Sequence, residues 1–429
     1  MTQYLDFVDF NYKPKSSDLI CLFRIEPSNG ISMREAIGRV ASESSNGTWT
    51  TLSTLKEHIR RIRARAFELK NNHVKIAYPI ELFELGSIPQ LLSSFAGNIF
   101  GMKAVRNLRL EDINFPNVLI RSFRGPEFGI KGVRKIFRVY DRPLTASVPK
   151  PKVGMTTREY GKVAYDIWNG GIDLLKDDEN LTNQKFNRFK KRAKVCFKIR
   201  DKVEKETGEI KSYLINVSAE TCEMLKRVKL VHELGGEFVM IDVLTCGFAA
   251  FQTLREFCHD YKLAIHIHRA MHAAFTRNPK HGISMLALAK LIRLVGGDNL
   301  HIGTIIGKLV GKKDEVLTLE REIEHNIDEN FLKQNVLSER WQHIKPMFAV
   351  SSGGLHPGLI PYVIKTLGKD IIIQAGGGIH GHPKGSRDGA TALRQAIDAA
   401  MSGIDLNEYA KKNLELKEAL NKWSFIKPV

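Results

Sequence analysis

Cysteine is scarce in this 429-residue chain. The five present, Cys21, Cys196, Cys222, Cys246 and Cys258, are odd in number, far apart and without a CxxC pair. Neither a disulfide framework nor a zinc site is indicated, and a reducing compartment is expected. Long apolar runs are missing as well. The longest nearly apolar stretch, "FVMIDVLTCGFAAF" (238–251), contains Asp242 and falls short of the roughly 20 residues a membrane-spanning helix needs. The N-terminal "MTQYLDFVDFNYKPK" has acids where a signal peptide needs cations. The expectation is a cytoplasmic protein with no membrane partner. Acids are in deficit, 47 Asp and Glu against 65 Lys and Arg, for a net charge of 65 − 47 = +18. Much of the excess sits in "KEHIRRIRARAFELK" (56–70) and "KFNRFKKRAKVCFKIRDKVEKETGEIK" (185–211). Neither run has the aromatic interleaving of a base-stacking platform, so each is read as a solvated helix face and no nucleic-acid partner is expected.

What remains is an ordinary globular balance, 43% apolar and 26% charged, long enough for one large domain plus a smaller one. Residues 1–125 alternate strand and helix signals: a strand at 19–27, a helix at 32–44, strands at "WTTL" and "HVKIAYPIELF", a helix at 87–101 and a last strand at "VRNLRLEDINF". That order suits a ferredoxin-like βαββαβ layer. Eight short apolar runs follow in 126–429: "LTASVPK", "GIDLLK", "SYLINVSA", "FVMIDVL", "LAIHIH", "NLHIGT", "MFAVSS" and "DIIIQAGGG". Each interval has room for a helix, and the whole span matches the about 250 residues of a (β/α)8 TIM barrel. The fold class expected is therefore α/β, a barrel with C-terminal helices after a smaller ferredoxin-like α+β domain. A doubly wound open sheet is the alternative, weakened by the lack of a GxGxxG after an early strand.

Polar residues gather where the eight strands finish. Lys150 and Lys152 end the first, Lys176 to Glu179 the second, Asn216 the third and Asp242 the fourth; His268, Arg269 and His272 follow the fifth, His301, Thr304 and Lys308 the sixth. Ser352, Gly353 and Gly354 end the seventh, and Gly376, Gly377 and Gly378 the eighth. In a barrel those ends form the open mouth, so eight in succession imply one polar site. Singly, each has a blander explanation: His266 and His268 as core imidazoles, the glycine clusters as tight turns. Glycine clusters also bring backbone N–H groups close to phosphate, a use common after barrel strands seven and eight. With Lys150, Arg269 and Lys308 as further cations, a bisphosphorylated substrate and a divalent ion are suggested.

"GGIDLLKDDEN" (170–180) poses a sharper problem. Asp178 and Glu179 suit Mg²⁺, which prefers hard oxygen ligands, yet strand alternation turns Lys176 to the same side as Asp178, and an ammonium there would repel the metal. Either Lys176 is a salt-bridge partner in a metal-free site, or it is a lysine of lowered pKa that captures CO2 and becomes an anionic carbamate ligand.

"KPKVG" (150–154), "GGIDLLKDDEN", "HIHRAMHAAF" (266–275), "GTIIGKL" (303–309), "SSGGLHPG" (351–358) and "QAGGGIHGHP" (374–383) resemble the large subunit of ribulose-1,5-bisphosphate carboxylase/oxygenase. "ASESSNGTWTT" (41–51) and "AGNIFGMKAVRNLRLED" (96–112) are similar to the same family, so the resemblance spans nearly the whole chain. "VPKPKVG", "HAAFTRNPKHGISM" and the short C-terminus look most like its archaeal form III branch. The resemblance implies Mg²⁺ as cofactor, held by Asp178, Glu179 and Lys176 as a CO2-derived carbamate. It implies Lys150 as a proton-transfer group with Lys152 beside it, His268 as an active-site histidine, and Lys308 as the mobile-loop lysine over the substrate. Arg269 and His301 would hold one phosphate and Gly354, Gly376 and Gly377 the other, with Gly353 alongside and Ser352 on a substrate hydroxyl. Glu43, Thr48, Trp49 and Asn98 match residues the family supplies from a neighbouring subunit, so a homodimer with shared sites is implied, with no small subunit; for Trp49 a plain core aromatic is the alternative. The implied reaction takes a proton from C3 of ribulose 1,5-bisphosphate, adds CO2 or O2 at C2 and, with CO2, cleaves to 3-phosphoglycerate, in nucleotide salvage by family association. Val310, Ile379 and Val148 depart from the common pattern without removing a catalytic group. The competing readings are a related sugar-phosphate enolase or isomerase and a basic nucleic-acid-binding barrel.

Overall fold

The computed structural model describes residues 4–306, 313–325, 336–424 and 426. Its strands are β1 Leu19–Pro27, β2 Arg65–Lys70, β3 His73–Tyr78, β4 Val105–Asn114, β5 Leu144–Ser147, β6 Leu174–Lys176 and β7 Ser212–Asn216. They continue with β8 Phe238–Asp242, β9 Ala264–His268, β10 Gly282–Ile283, β11 Asn299–Gly303, β12 Phe348–Ser352 and β13 Ile371–Ala375. The chain divides into two compact units, one of residues 1–125, 271–295 and 325–344, the other of 126–270, 296–324 and 345–429.

In the first unit the sheet order is β10-β4-β1-β3-β2, with β1 antiparallel to both β3 and β4. Alternation in β1 buries Leu19, Cys21, Phe23 and Ile25 completely. The helix Met33–Glu43 starts at Ser32, whose side chain accepts from the Glu35 N–H, and turns Ala36, Ile37, Val40 and Ala41 inward. With the helix Ile88–Phe95 this gives the expected βαββαβ layer. Two local expectations fail. "WTTL" is not a strand, and the basic run at 56–70 is helical only over Glu57–Arg61 before it becomes β2. The missed signal is the Asn71-Asn72 turn between paired Lys70 and His73, with Asn71 at φ 57°; asparagine tolerates that left-handed conformation, and such two-residue turns favour a hairpin over a continued helix. Buried polar contacts tie in the two later segments: Lys290 reaches Asp112 at 2.8 Å, both fully buried, and Glu339 accepts from the Phe115 N–H at 3.0 Å.

The second unit is the closed parallel barrel, in the order β11-β12-β13-β5-β6-β7-β8-β9, and its strands are the eight apolar runs. Leu144, Leu174, Leu214, Phe238, Met240, Ala264, Phe348, Val350 and Ile372 fill one apolar cluster, joined by Val133 and Phe137 of the helix Gly129–Phe137. A packed barrel interior of this kind is a core and not a pore. The basic run at 185–211 forms the helix Phe189–Thr207, with Ala193, Cys196, Phe197 and Val203 inward and most lysines exposed. No helix among the described residues is long and apolar enough to cross a membrane.

Candidate active site

Side chains two residues apart on a strand point the same way. Advancing two residues from the apolar cluster leads from Leu174 to Lys176, from Leu214 to Asn216, from Met240 to Asp242 and from Val350 to Ser352; from Ala264 it leads to His266 and then His268. The pleat that packs the lower barrel with aliphatics therefore lines its C-terminal end with polar groups.

Lys176 is 1% exposed, and its Nζ donates to the Asp177 carbonyl oxygen at 2.8 Å. Burial lowers its pKa below the usual lysine value, against the pull of Glu179, Asp242, Asp178 and Asp177. The cation that pairs with Asp178 is Lys150, Nζ to Oδ2 at 2.9 Å. Burial works against the Asp178 carboxylate, yet Lys150 and the Asn180 donors keep its pKa below the ordinary range. Asp177 has the opposite strand parity and faces the helix layer. Its Oδ1 accepts from Tyr160 Oη at 2.7 Å and Tyr213 Oη at 2.5 Å, its Oδ2 from Arg192 Nη2 and the Asn216 N–H, both at 3.0 Å. The three acids of "KDDE" are thus sorted: Asp177 into the fold, Asp178 and Glu179 toward the mouth.

His268 lies between two carboxylates, with Nδ1 2.7 Å from Asp242 Oδ1 and Nε2 3.7 Å from Glu179 Oε2. The 2.7 Å contact with Asp242, shorter than the 3.3 Å approach of the Ala270 N–H to the same atom, favours a hydrogen on Nδ1, which leaves Nε2 as the acceptor facing the site. His301 contacts His266 through the two Nε2 atoms at 2.9 Å and Ser352 Oγ through Nδ1 at 2.8 Å. Burial, then the neighbouring histidines and Lys176, keep the His301 pKa well below the usual value, so the ring is neutral at pH 7.

Backbone conformation and close approach shape the glycine loops. A Cβ on Gly376 would stand 3.1 Å from Lys150 Cε and one on Gly303 2.9 Å from Arg269 Nη2, both ends of flexible side chains that can give way; at Gly303 the φ of 90° is the stronger demand for glycine. Gly353 and Gly354 have φ 120° and 80°, conformations that L side chains rarely adopt. Around Gly377 a Cβ would meet nothing within 4 Å. Lys152 is exposed beyond β5. Glu43, Thr48, Trp49 and Asn98 belong to the other unit, and Trp49, 79% exposed, is not a core aromatic. Lys308 and Val310 lie outside the described residues. Among the described residues no three His, Cys, Asp or Glu side chains form a ready metal cage. The strand-end pattern singles out Asp242 and Asn216 without giving them partners, and nothing in the sequence marked Asp177, Tyr160, Tyr213 and Arg192 as one cluster, because they come from four different elements.

Residues 129–423 match the model of the ribulose bisphosphate carboxylase large chain catalytic domain, and residues 6–119 that of its N-terminal domain. The chain is 53% identical over 429 residues to the ribulose bisphosphate carboxylase of Pyrococcus abyssi, covering 99% of this chain and 98% of that protein. It is 51% identical to that of Methanosarcina barkeri, covering 97% and 99%. Among solved structures, the octameric Rubisco of Pyrococcus horikoshii, in complex with sulfate, superposes with a TM-score of 0.93 at 52% identity, covering 99% of this chain and 97% of that one. The dimeric archaeal Rubisco of Hyperthermus butylicus gives 0.94 at 51%, covering 99% and 100%. With both halves matched in order and half of all positions identical along the whole length, the chain belongs to the ribulose bisphosphate carboxylase large chain family.

Proposed function

We propose that the protein is a ribulose-1,5-bisphosphate carboxylase/oxygenase, joining ribulose 1,5-bisphosphate, CO2 and water into two molecules of 3-phosphoglycerate, with O2 competing for the same carbon. Lys176 carries this assignment. It is a lysine of depressed pKa, buried in the barrel mouth beside two carboxylates, and its hydrogen bond goes to a backbone carbonyl. That Lys150, and not Lys176, makes the ion pair with Asp178 supports this reading over a plain salt bridge. A neutral amine so placed can add to the carbon of CO2 and release a proton, and the resulting carbamate turns the repelling cation into an oxygen ligand.

The donor set then fits Mg²⁺: Asp178, Glu179 and the carbamate are all hard oxygen ligands. Bound there, Mg²⁺ would supply a Lewis acid for the substrate oxygens. The chain's own groups do the rest. Lys176, as carbamate, takes the C3 proton. Lys150, within reach of both Asp178 and the Gly376 turn, moves protons at the enediolate and product stages. His268, oriented by Asp242, holds or relays a proton through Nε2. Arg269 and His301 take one phosphate; backbone N–H groups at Gly354, Gly376 and Gly377 take the other, with Gly353 shaping the turn. Ser352 binds a substrate hydroxyl, Lys152 adds positive charge at the rim, and Lys308 closes over the nascent carboxylate. Glu43, Thr48, Trp49 and Asn98 complete the barrel of a neighbouring subunit, so the working unit is at least a homodimer; the relatives include a dimer and an octamer. Archaeal form III kinship, supported by relatives from Pyrococcus and Methanosarcina, points to ribulose bisphosphate drawn from nucleotide salvage.

The test is fixation of labelled CO2 into acid-stable product with ribulose 1,5-bisphosphate, with and without preincubation in bicarbonate and Mg²⁺, in the native protein and Lys176→Ala. Activity that depends on preincubation and disappears in the variant is expected. A folded native protein that fixes no CO2 under anoxic, CO2-rich conditions would overturn the assignment.

A further inference from the structure

The segment 177–188 must hold Asp178 and Glu179 at a fixed spacing from Lys176, yet it has no regular secondary structure. One fully buried side chain spans it. Arg192, on the helix Phe189–Thr207, donates from Nη2 to the Thr182 carbonyl at 2.8 Å and to Asp177 Oδ2 at 3.0 Å, from Nη1 to the Asn187 carbonyl at 2.8 Å, and from Nε to Tyr213 Oη at 3.1 Å. Tyr160 and Tyr213 close the other side by donating to Asp177 Oδ1. Asn216, whose N–H also bonds Asp177, donates its Nδ2 to the Glu179 carbonyl at 3.2 Å. The chain is thereby held at 177, 182 and 187 by groups facing away from the barrel mouth, and at 179 by Asn216 from the mouth side.

We infer that Arg192, with Tyr160 and Tyr213, is a positioning residue: it fixes the loop that presents Asp178 and Glu179 beside Lys176 and so sets how tightly the activated centre holds a divalent ion. The inference rests on the carboxylase reading above. Arg192 touches neither substrate nor reacting atoms; it acts through Asp177 and two loop carbonyls. The guanidinium's planar fork is what makes this possible, because five N–H donors in fixed directions serve four acceptors at once. A lysine at 192 keeps the charge for Asp177 but cannot reach Thr182, Asn187 and Tyr213 together. Likewise, Tyr160→Phe keeps the ring and removes one donor to Asp177, and Tyr213→Phe removes a donor to Asp177 together with the acceptor of Arg192 Nε. Groups that orient metal ligands typically change metal affinity about 10- to 100-fold when lost.

Mn²⁺ binding, followed by electron paramagnetic resonance with and without bicarbonate, tests this in the full-length native protein, Arg192→Lys, Tyr160→Phe and Tyr213→Phe. The expected result is a bicarbonate-dependent half-saturation that rises about tenfold or more in Arg192→Lys and severalfold in each Tyr→Phe variant. At saturating Mn²⁺ and bicarbonate, KM for ribulose 1,5-bisphosphate should stay within about twofold of native. A purely structural role would lower the melting temperature and leave the half-saturation of the folded protein unchanged; that outcome overturns the inference. Should Arg192→Lys fail to fold, the two Tyr→Phe variants decide the matter by the same measure. Native protein that binds no Mn²⁺ in response to bicarbonate refutes the carboxylase reading itself, and this inference with it.

Discussion

Asp242→Asn separates the part played by His268 from that proposed for Lys176, Asp178 and Glu179. Asp242 Oδ1 lies 2.7 Å from His268 Nδ1, while its backbone N–H bonds Ser218 Oγ at 2.8 Å, so the substitution leaves the backbone anchored. A charge-assisted hydrogen bond contributes about 1.5–3 kcal/mol and a neutral one about 0.5–1.5 kcal/mol. If the Asn oxygen takes the carboxylate's place, His268 keeps its tautomer and a charge-assisted hydrogen bond becomes a neutral one weaker by about 1–1.5 kcal/mol, roughly a tenfold fall in kcat. If the amide NH2 faces the ring instead, the hydrogen moves to Nε2, the basic atom is lost from the site, and the fall reaches about 10² or more, the usual scale of general acid–base catalysis. Asp242 is also one of the carboxylates that support the charged form of Lys176. Its removal makes the amine easier to deprotonate, so the bicarbonate needed for half-activation should not rise. Steady-state carboxylation with titrated bicarbonate preincubation reads both quantities. A kcat within about threefold of native, or a bicarbonate requirement that rises in step with the loss of activity, would refute this assignment of Asp242 to His268.

Two further predictions concern stability. Burial pushes Glu339 up to about 7, from an unfolded value of about 4.3. Because the folded state holds this proton more tightly, the group's contribution is full below about pH 4.3 and is lost as pH rises through about 7, with a slope of up to about 1.4 kcal/mol per pH unit. Glu339→Gln should flatten the stability profile between about pH 5 and 7 in urea denaturation; an unchanged slope would show that Glu339 does not titrate there. Gly377 and Gly378 make a paired test. A Cβ on Gly378 would stand 2.1 Å from the Leu355 carbonyl oxygen, whereas one on Gly377 meets nothing within 4 Å. Gly378→Ala should therefore cost at least about 1–3 kcal/mol. Gly377→Ala should melt like the native protein while raising KM for the bisphosphate, because its methyl occupies the space proposed for a phosphate. Equal melting temperatures for the two variants would contradict the packing described.

Barrel and mouth were both legible in the chain because each is written locally. Apolar runs such as "FVMIDVL" mark strands buried on both faces, and the period of two that puts Met240 in the core puts Asp242 at its rim. The small domain was read correctly in class and wrongly at β2, since a basic, partly apolar stretch fits helix and strand spacing alike until β3 pairs with it. Lys176 was recognisable as anomalous from its neighbours alone. What it bonds was not: that its Nζ donates to the Asp177 carbonyl while Lys150, 26 positions earlier, pairs with Asp178 is visible only in the fold. The sequence by itself determined the order of elements, the residues at each strand end and the family, all of them properties of short segments in succession. Only the tertiary structure decided how the acids of "KDDE" are divided, that Asp242 meets His268, and that Arg192 bonds the segment after β6 at 177, 182 and 187. Those depend on which side chains meet across strands and helices far apart in sequence, and no local period encodes such meetings.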